Sequence, residues 1–164
     1  MIKFDRDFRM TEIPSDSDLQ DFCDNVKSRM EHLVNPNNER PLVSINICAH
    51  DEERYLPWTS DSISRILTNV PMQICVIDNA SRDRTSEIAL QCWVQVITEP
   101  KKWLSYARQV WLEWSKGEYI FSTDSDVRVP NSWIDASLNF FREDSELVCF
   151  SWGINQRIHP LHSL

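Results

Sequence analysis

The sequence predicts an α/β domain, a mainly parallel sheet with helices on both faces, preceded by one amphipathic helix. Three observations carry this. From Pro41 onward strand-like and helix-like segments alternate, the pattern of βαβ units. The strand-like runs are dense in Val, Ile, Phe and Cys, as strands buried on both faces are. Polar, acidic loops follow three of these runs, where open α/β sheets bind their ligands. The chain accordingly divides into an N-terminal extension with one helix, residues 1–40, and the α/β domain, residues 41–164.

In chain order, Leu19, Phe22, Cys23, Val26, Met30 and Leu33 recur at helical spacing from about Asp16 to Leu33. Ser17 with Gln20 fits a capping box, and Asn35-Pro36-Asn37-Asn38 ends the element. The apolar stripe is expected to dock on the domain that follows. Five strands are expected: Leu42 to Cys48, Gln73 to Asp78, Trp93 to Ile97, Glu118 to Thr123 and Glu146 to Phe150. Between them fall helices carrying Leu56, Ile63, Ile66, Leu67 and Val70; Ile88 and Ala89, capped by Asp83 or Thr85; and Leu104, Ala107, Val110, Trp111 and Trp114. A last helix is expected from just after Pro130 to about Phe141.

With 164 residues, 41% of them hydrophobic, the chain has material for one core. A net charge of −8 without a basic block excludes a phosphate-backbone partner, so nucleic acid is not expected. No apolar run approaches the ~20 residues of a membrane span, and the first residues lack a signal-peptide core, which makes the cytoplasm the expected address. Cys23, Cys48, Cys75, Cys92 and Cys149 show no metal spacing and read as reduced, packed thiols. His159 and His162 flank Pro160, which prevents a regular helical pairing.

The functional signal centres on Asp124-Ser125-Asp126, two carboxylates delivered by the apolar run Tyr119-Ile120-Phe121. Hard oxygen ligands at a strand end suit Mg²⁺ or Mn²⁺, which bridge carboxylates to phosphates. Ala49-His50-Asp51-Glu52-Glu53 and Asp78-Asn79-Ala80-Ser81 occupy two further strand ends. Such an acidic rim repels a phosphate unless a cation intervenes, so together the loops predict a metal-bridged phosphate ligand. For Asp124-Ser125-Asp126 to meet His50-Asp51-Glu52, the first and fourth strands must be neighbours.

Val43 to Glu53, Val76 to Thr85, Leu104-Ser105-Tyr106-Ala107-Arg108, and Lys116 to Ile120 leading into Asp124-Ser125-Asp126 together resemble family 2 glycosyltransferases of the GT-A fold, in order, over roughly Pro41 to Gly153. The resemblance implies transfer of a sugar from a nucleotide-diphosphate donor to an acceptor hydroxyl on a glycan, lipid or small molecule, with Mg²⁺ or Mn²⁺ on the diphosphate. It places Cys48, Ala49, His50, Asp51 and Glu52 around base and ribose, Asp78 and Asn79 at the base edge, and Lys102 near the diphosphate. Asp124 and Ser125 fall at the ribose side, and Asp126, with Asp124, at the metal.

The sequence departs from the family in four ways. His50 stands where Tyr is common, and Asp51 where Asn is usual, which crowds the carboxylates and predicts a raised pKa on one of them. Glycine is scarce, 2 residues against an average near 7%. Ala80, Arg84, Trp103 and Trp111 occupy usual glycine positions; a positive φ at Trp103 would be strained, with its indole over the diphosphate or forced outward, while Trp111 falls on the core stripe. Finally, the family's catalytic base and acceptor pocket come from well beyond the D-x-D. Glu143 and Asp144 read as a solvated turn, so the expectation is a C-terminally incomplete donor half. The competing class is a nucleotide-sugar-binding module without turnover; a receiver-like signalling domain, which also sets carboxylates around Mg²⁺, leaves the ordered motifs unexplained.

Overall fold

Ser15 starts the first helix. In the computed structural model, which describes residues 14–34, 40–93 and 95–151, α1 spans Asp16–Leu33. Its cap is Ser15 rather than Ser17: the Asp18 amide donates to Ser15 Oγ at 3.2 Å, while Gln20 turns to Asp24. The expected turn at residues 35–38 lies outside the described residues. Leu19, Cys23, Val26 and Met30 are buried, in one cluster with the sheet residues Val43, Ile45, Ile47 and Ile74. The stripe therefore docks on the sheet side of the same molecule.

The sheet has four parallel strands, β1 (Val43–Ala49), β2 (Met72–Asp78), β3 (Val96–Thr98) and β4 (Tyr119–Asp124), in the order β3-β2-β1-β4. Helices α2 (Leu56–Ile63) and α3 (Thr85–Cys92) link β1 to β2 and β2 to β3 on the α1 side, where α5 (Trp133–Glu143) also packs. Helix α4 (Leu104–Trp114) links β3 to β4 on the opposite face, against Cys75, Ile77 and Cys48. Handedness explains the division: the chain steps outward to β3 and then returns past β1, and a right-handed crossover that reverses direction must place its helix on the other face. The reversal falls between β1 and β4, which are the expected neighbours.

Three expectations are corrected. Glu146 to Phe150 forms no strand; Val148 is 88% exposed, and Phe150 stacks on Phe140 and Phe141. Strand propensity lies largely in cross-strand packing, and this segment has aromatic partners on α5 instead of a ladder. The third strand starts at Val96, because Trp93 is the buried C-cap of α3. Leu67 lies beyond α2, 70% exposed. The cysteines are corrected too: Cys23 and Cys92 form a disulfide. They sit on the facing sides of α1 and α3, a juxtaposition created by packing and invisible in a separation of 69 residues. Cys48, Cys75 and Cys149 are free, and burial pushes the Cys75 thiol up to about 12. His159 and His162 lie outside the described residues.

On its α4 face β1 is polar. Buried Ser44 accepts the Gly117 amide at 2.8 Å, and buried Asn46 donates to Ser115 Oγ at 2.9 Å, so the 115–117 segment is held to that face before β4 begins, while Asn46 Oδ1 has no hydrogen-bond partner among the described residues. The approach is close: a Cβ on Gly117 would lie 2.6 Å from Ser44 N and 2.7 Å from the Val43 carbonyl carbon. Gly117→Ala should therefore cost roughly 1–3 kcal/mol, as overpacking against backbone does. Urea unfolding measures this, and a variant as stable as the parent would show that β1 yields freely.

Candidate functional site

Register sets the rim. Ala49 pairs with Asp78 across β1 and β2, and Cys48 with Asp124 across β1 and β4, so three neighbouring strands end at one level. At the β4 end Asp124 and Asp126 are exposed while Ser125 between them is buried. Thr59 of α2 fixes the turn by donating to the Ser125 carbonyl at 2.7 Å, and Ser62 receives the Val129 amide at 3.2 Å. Two outward carboxylates thus leave a rigid turn. Thr59 and Ser62 were not legible in the sequence, since small hydroxyls on a helix read as surface.

The loops after β1 and β2 are joined backbone to side chain. Asp51 N–H donates to Ser81 Oγ at 3.1 Å, Glu52 N–H to Thr85 Oγ1 at 2.7 Å, and Glu53 N–H to Asp83 Oδ2 at 3.1 Å. In return, Arg82 N–H donates to Asp51 Oδ1 at 2.7 Å and Arg84 N–H to Glu53 Oε2 at 3.1 Å. The sequence shows Asp83 and Thr85 only as caps. His50 donates from Nδ1 to the Asn79 carbonyl at 2.7 Å, with Nε2 3.4 Å from Asp51 Oδ2.

These bonds decide where the crowded charge settles. The Arg82 amide holds the Asp51 carboxyl below its ordinary range, helped by the charges of His50 and Lys102. Glu52 carries the penalty instead: burial, and then Asp126, Asp83 and Asp124, push it up to about 7. Its proton is held by the folded chain and released by the unfolded one above about 4.5, so this contribution to stability is complete below 4.5 and lost as pH rises through 7. Urea midpoints of the apoprotein should decline across that window, and Glu52→Gln should remove the decline. An unchanged slope in Glu52→Gln would place the proton elsewhere.

Of the other expected site residues, Asp78 is buried, with Oδ1 accepting the Ser81 amide at 3.4 Å. Asn79, expected at a base edge, turns its amide away to the 99–103 loop: Nδ2 donates to Lys101 O at 2.7 Å and Glu99 O at 3.3 Å. Lys102 is exposed in that loop. The Cys48 thiol is pushed up to about 11 by burial, against the pull of the Arg108 charge. Asp51 and Ala80 both have φ 57°, and Trp103 has φ 141° with its side chain 72% exposed. The indole has thus gone outward, and backbone that glycine adopts freely is held strained, at ~1–3 kcal/mol each. Trp111 packs with Cys75, Ile77 and Ala107 as expected. Glu143 and Asp144 form the exposed end of α5.

Exposed Asp124 and Asp126 offer hard carboxylate oxygens of the kind that suits Mg²⁺ or Mn²⁺, and Glu52 lies close enough to feel both charges. Among the described residues no three His, Cys, Asp or Glu side chains converge on one point. Two carboxylates suffice for an ion that draws its remaining ligands from phosphate and water.

The chain matches the Glycosyl transferase family 2 model over residues 44–157. No curated protein sequence matches it. Among solved structures it is similar to TarS 1-349 of S. aureus in complex with UDP-GlcNAc, at 20% identity and TM-score 0.54, over 62% of this chain and 31% of that one. It is also similar to the mannosyltransferase PcManGT from Pyrobaculum calidifontis in complex with GDP-Man and Mn²⁺, at 16% identity and TM-score 0.54, over 75% of this chain and 44% of that one. The chain thus spans less than half the length of these structures, and the likeness to them is one of fold. A parallel sheet that reverses beside β1, with acidic loops at its carboxyl end and the family's pattern running from β1 beyond α5, shows that the chain belongs to glycosyl transferase family 2.

Proposed function

We propose that the chain is the donor-binding part of a glycosyltransferase, residues 41–164, with residues 1–40 as an extension held to it by α1. The observation that carries this is the meeting of the β1, β2 and β4 loops at the strand-order reversal, with Asp124 and Asp126 outward from a fixed turn. The solved relatives bound to UDP-GlcNAc and to GDP-Man with Mn²⁺ support a nucleotide-sugar donor.

In this reading Cys48, Ala49, His50, Asp51 and Glu52 surround base and ribose, and Asp78 sits beneath the base edge. Asp124 meets the ribose with buried Ser125 behind it, Lys102 offsets diphosphate charge, and Asp126 with Asp124 holds Mg²⁺ or Mn²⁺. When bound, that ion supplies Lewis-acid stabilisation of the leaving diphosphate. The chain's own residues orient the nucleotide, and the bonds made by the Asp51, Glu52 and Glu53 amides hold the β1 and β2 loops together. The acceptor is a hydroxyl of a glycan, lipid or small molecule. Among the described residues no helix is long and apolar enough to cross a membrane. On compartment, the Cys23–Cys92 bridge favours an oxidising setting over the cytoplasm expected from sequence, because cytosolic thiols are kept reduced.

The test is calorimetry of UDP and GDP with and without Mn²⁺, followed by hydrolysis of UDP- and GDP-sugars. Metal-dependent binding with slow hydrolysis supports the transferase reading. Binding without any hydrolysis favours a module that holds the donor and does not turn it over, and no binding of either nucleotide removes both.

A further inference from the structure

We infer that Asn79 is a positioning residue that ties the three cleft loops together and sets Lys102, rather than a reader of the nucleotide base. The inference rests on the donor reading of the cleft. Asn79 is 4% exposed and its amide is committed on both ends. Nδ2 donates to Lys101 O at 2.7 Å and to Glu99 O at 3.3 Å, and Oδ1 accepts the Trp103 amide at 3.3 Å. Its main chain is engaged as well: the N–H donates to Ala49 O at 2.8 Å, and the carbonyl accepts from His50 Nδ1 at 2.7 Å. A carbonyl can only accept, so this last bond also places a proton on His50 Nδ1. One buried residue thus joins the end of β1, the end of β2 and the loop from β3 to α4.

Lys102 stands between Lys101 and Trp103, two of the three loop residues whose backbone the Asn79 side chain grips. Its charge is felt at Asp51, across the cleft mouth from its own loop. A lysine carries its charge on a flexible stem, so the placement of its Cα decides where the ammonium can reach. Trp103 adds an independent observation: a non-glycine residue at φ 141° persists only where its surroundings over-determine it, and the bond to Asn79 Oδ1 is such a restraint. The chemistry also dictates the amide. A carboxylate at this place would turn an acceptor toward the Glu99 and Lys101 carbonyls, where only a donor fits.

The test uses the full chain with Asn79→Ala and the near-isosteric Asn79→Asp. Without nucleotide, hydrogen exchange at the Trp103 amide should rise at least about tenfold in both variants, and unchanged exchange would overturn the inference. With Mn²⁺ present, UDP and GDP affinity should fall about tenfold while uridine and guanosine affinity stays within about twofold. Adding Lys102→Ala to Asn79→Asp should then cost little more, whereas Lys102→Ala alone should weaken UDP binding about as much as Asn79→Asp. Equal losses for nucleoside and nucleotide would show that Asn79 reads the base and refute positioning. Full additivity of the two substitutions would equally refute it. If the parent protein binds none of the four compounds, the donor reading falls and the positioning of Lys102 falls with it, even where exchange shows that Asn79 anchors the loop.

Discussion

Reducing the Cys23–Cys92 bridge should lower the stability of the chain by about 4 kcal/mol, the chain-entropy value for a closed loop of this size. The bridge spans 69 residues of sequence, and that length includes β1, α2 and β2, half the strands of the sheet. Cutting it frees the unfolded chain far more than the folded one, because α1 remains held by Leu19, Val26 and Met30 in the core and by Arg29 on Asp61 at 2.7 Å. The exposed end of the Arg84–Asp16 pair adds little. For a domain of this size the melting temperature should drop by about 10 °C. Melts with and without reductant, and of Cys23→Ser and Cys92→Ser, measure the effect. Thiol titration of the unfolded, unreduced protein should find three thiols rather than five. Five thiols, with a melt indifferent to reductant, would show that the pair is open.

Asp126→Ala should abolish metal-dependent nucleotide binding, with a loss of at least about a hundredfold, or ~2.8 kcal/mol. The argument is electrostatic. A diphosphate brought beside Asp51, Asp78 and Asp124 sets like charges together in partly desolvated surroundings, a repulsion on the order of several kcal/mol at intermediate effective dielectric. A divalent ion reverses the sign, and Asp126, exposed on the turn that Thr59 fixes, is the carboxylate proposed to hold it. Asp126→Asn should lose less, since the amide oxygen remains a ligand without the charge. Asp144→Ala, at the far end of α5, should leave binding unchanged. Titrations of UDP and GDP in Mn²⁺ and in chelator read all of these. Equal affinity in chelator, or Asp126→Ala binding like the parent, would refute the metal bridge.

What the sequence disclosed and what it withheld divide along a physical line. Periodicity placed α1 over its observed span, and the need to bring two acidic loops together required the β1–β4 pairing that is observed. Each of these is a consequence of burial, which leaves a repeating trace in the chain. Pairwise geometry leaves none. The Cys23–Cys92 contact, the Thr59 bond to the Ser125 carbonyl and the turn of Asn79 away from the cleft follow from how helices and loops meet. Crowding of carboxylates was legible, but its bearer was not: a backbone amide stabilises Asp51, so the raised value falls on Glu52. The segment after α5 misled for a related reason, since Val148 and Phe150 have strand propensity and no strand beside them.

The positive φ angles at Asp51, Ala80 and Trp103 lie one on each of the loops after β1, β2 and β3. Were these residues glycine, each loop would sample mirror-image backbone as readily as the native one, and a ligand would have to freeze that freedom on arrival. Side chains at these positions disfavour the native φ, so the freedom is removed by the bonds that hold the loops, such as Ser81 on the Asp51 amide and Asn79 on the Trp103 amide, at the expense of backbone strain. Nucleotide binding should then show an entropy less unfavourable than that of a glycine-rich rim, with little rearrangement of the three loops. In a chain with 2 glycines, the order of these loops is held by hydrogen bonds between them and against the preference of their own backbone.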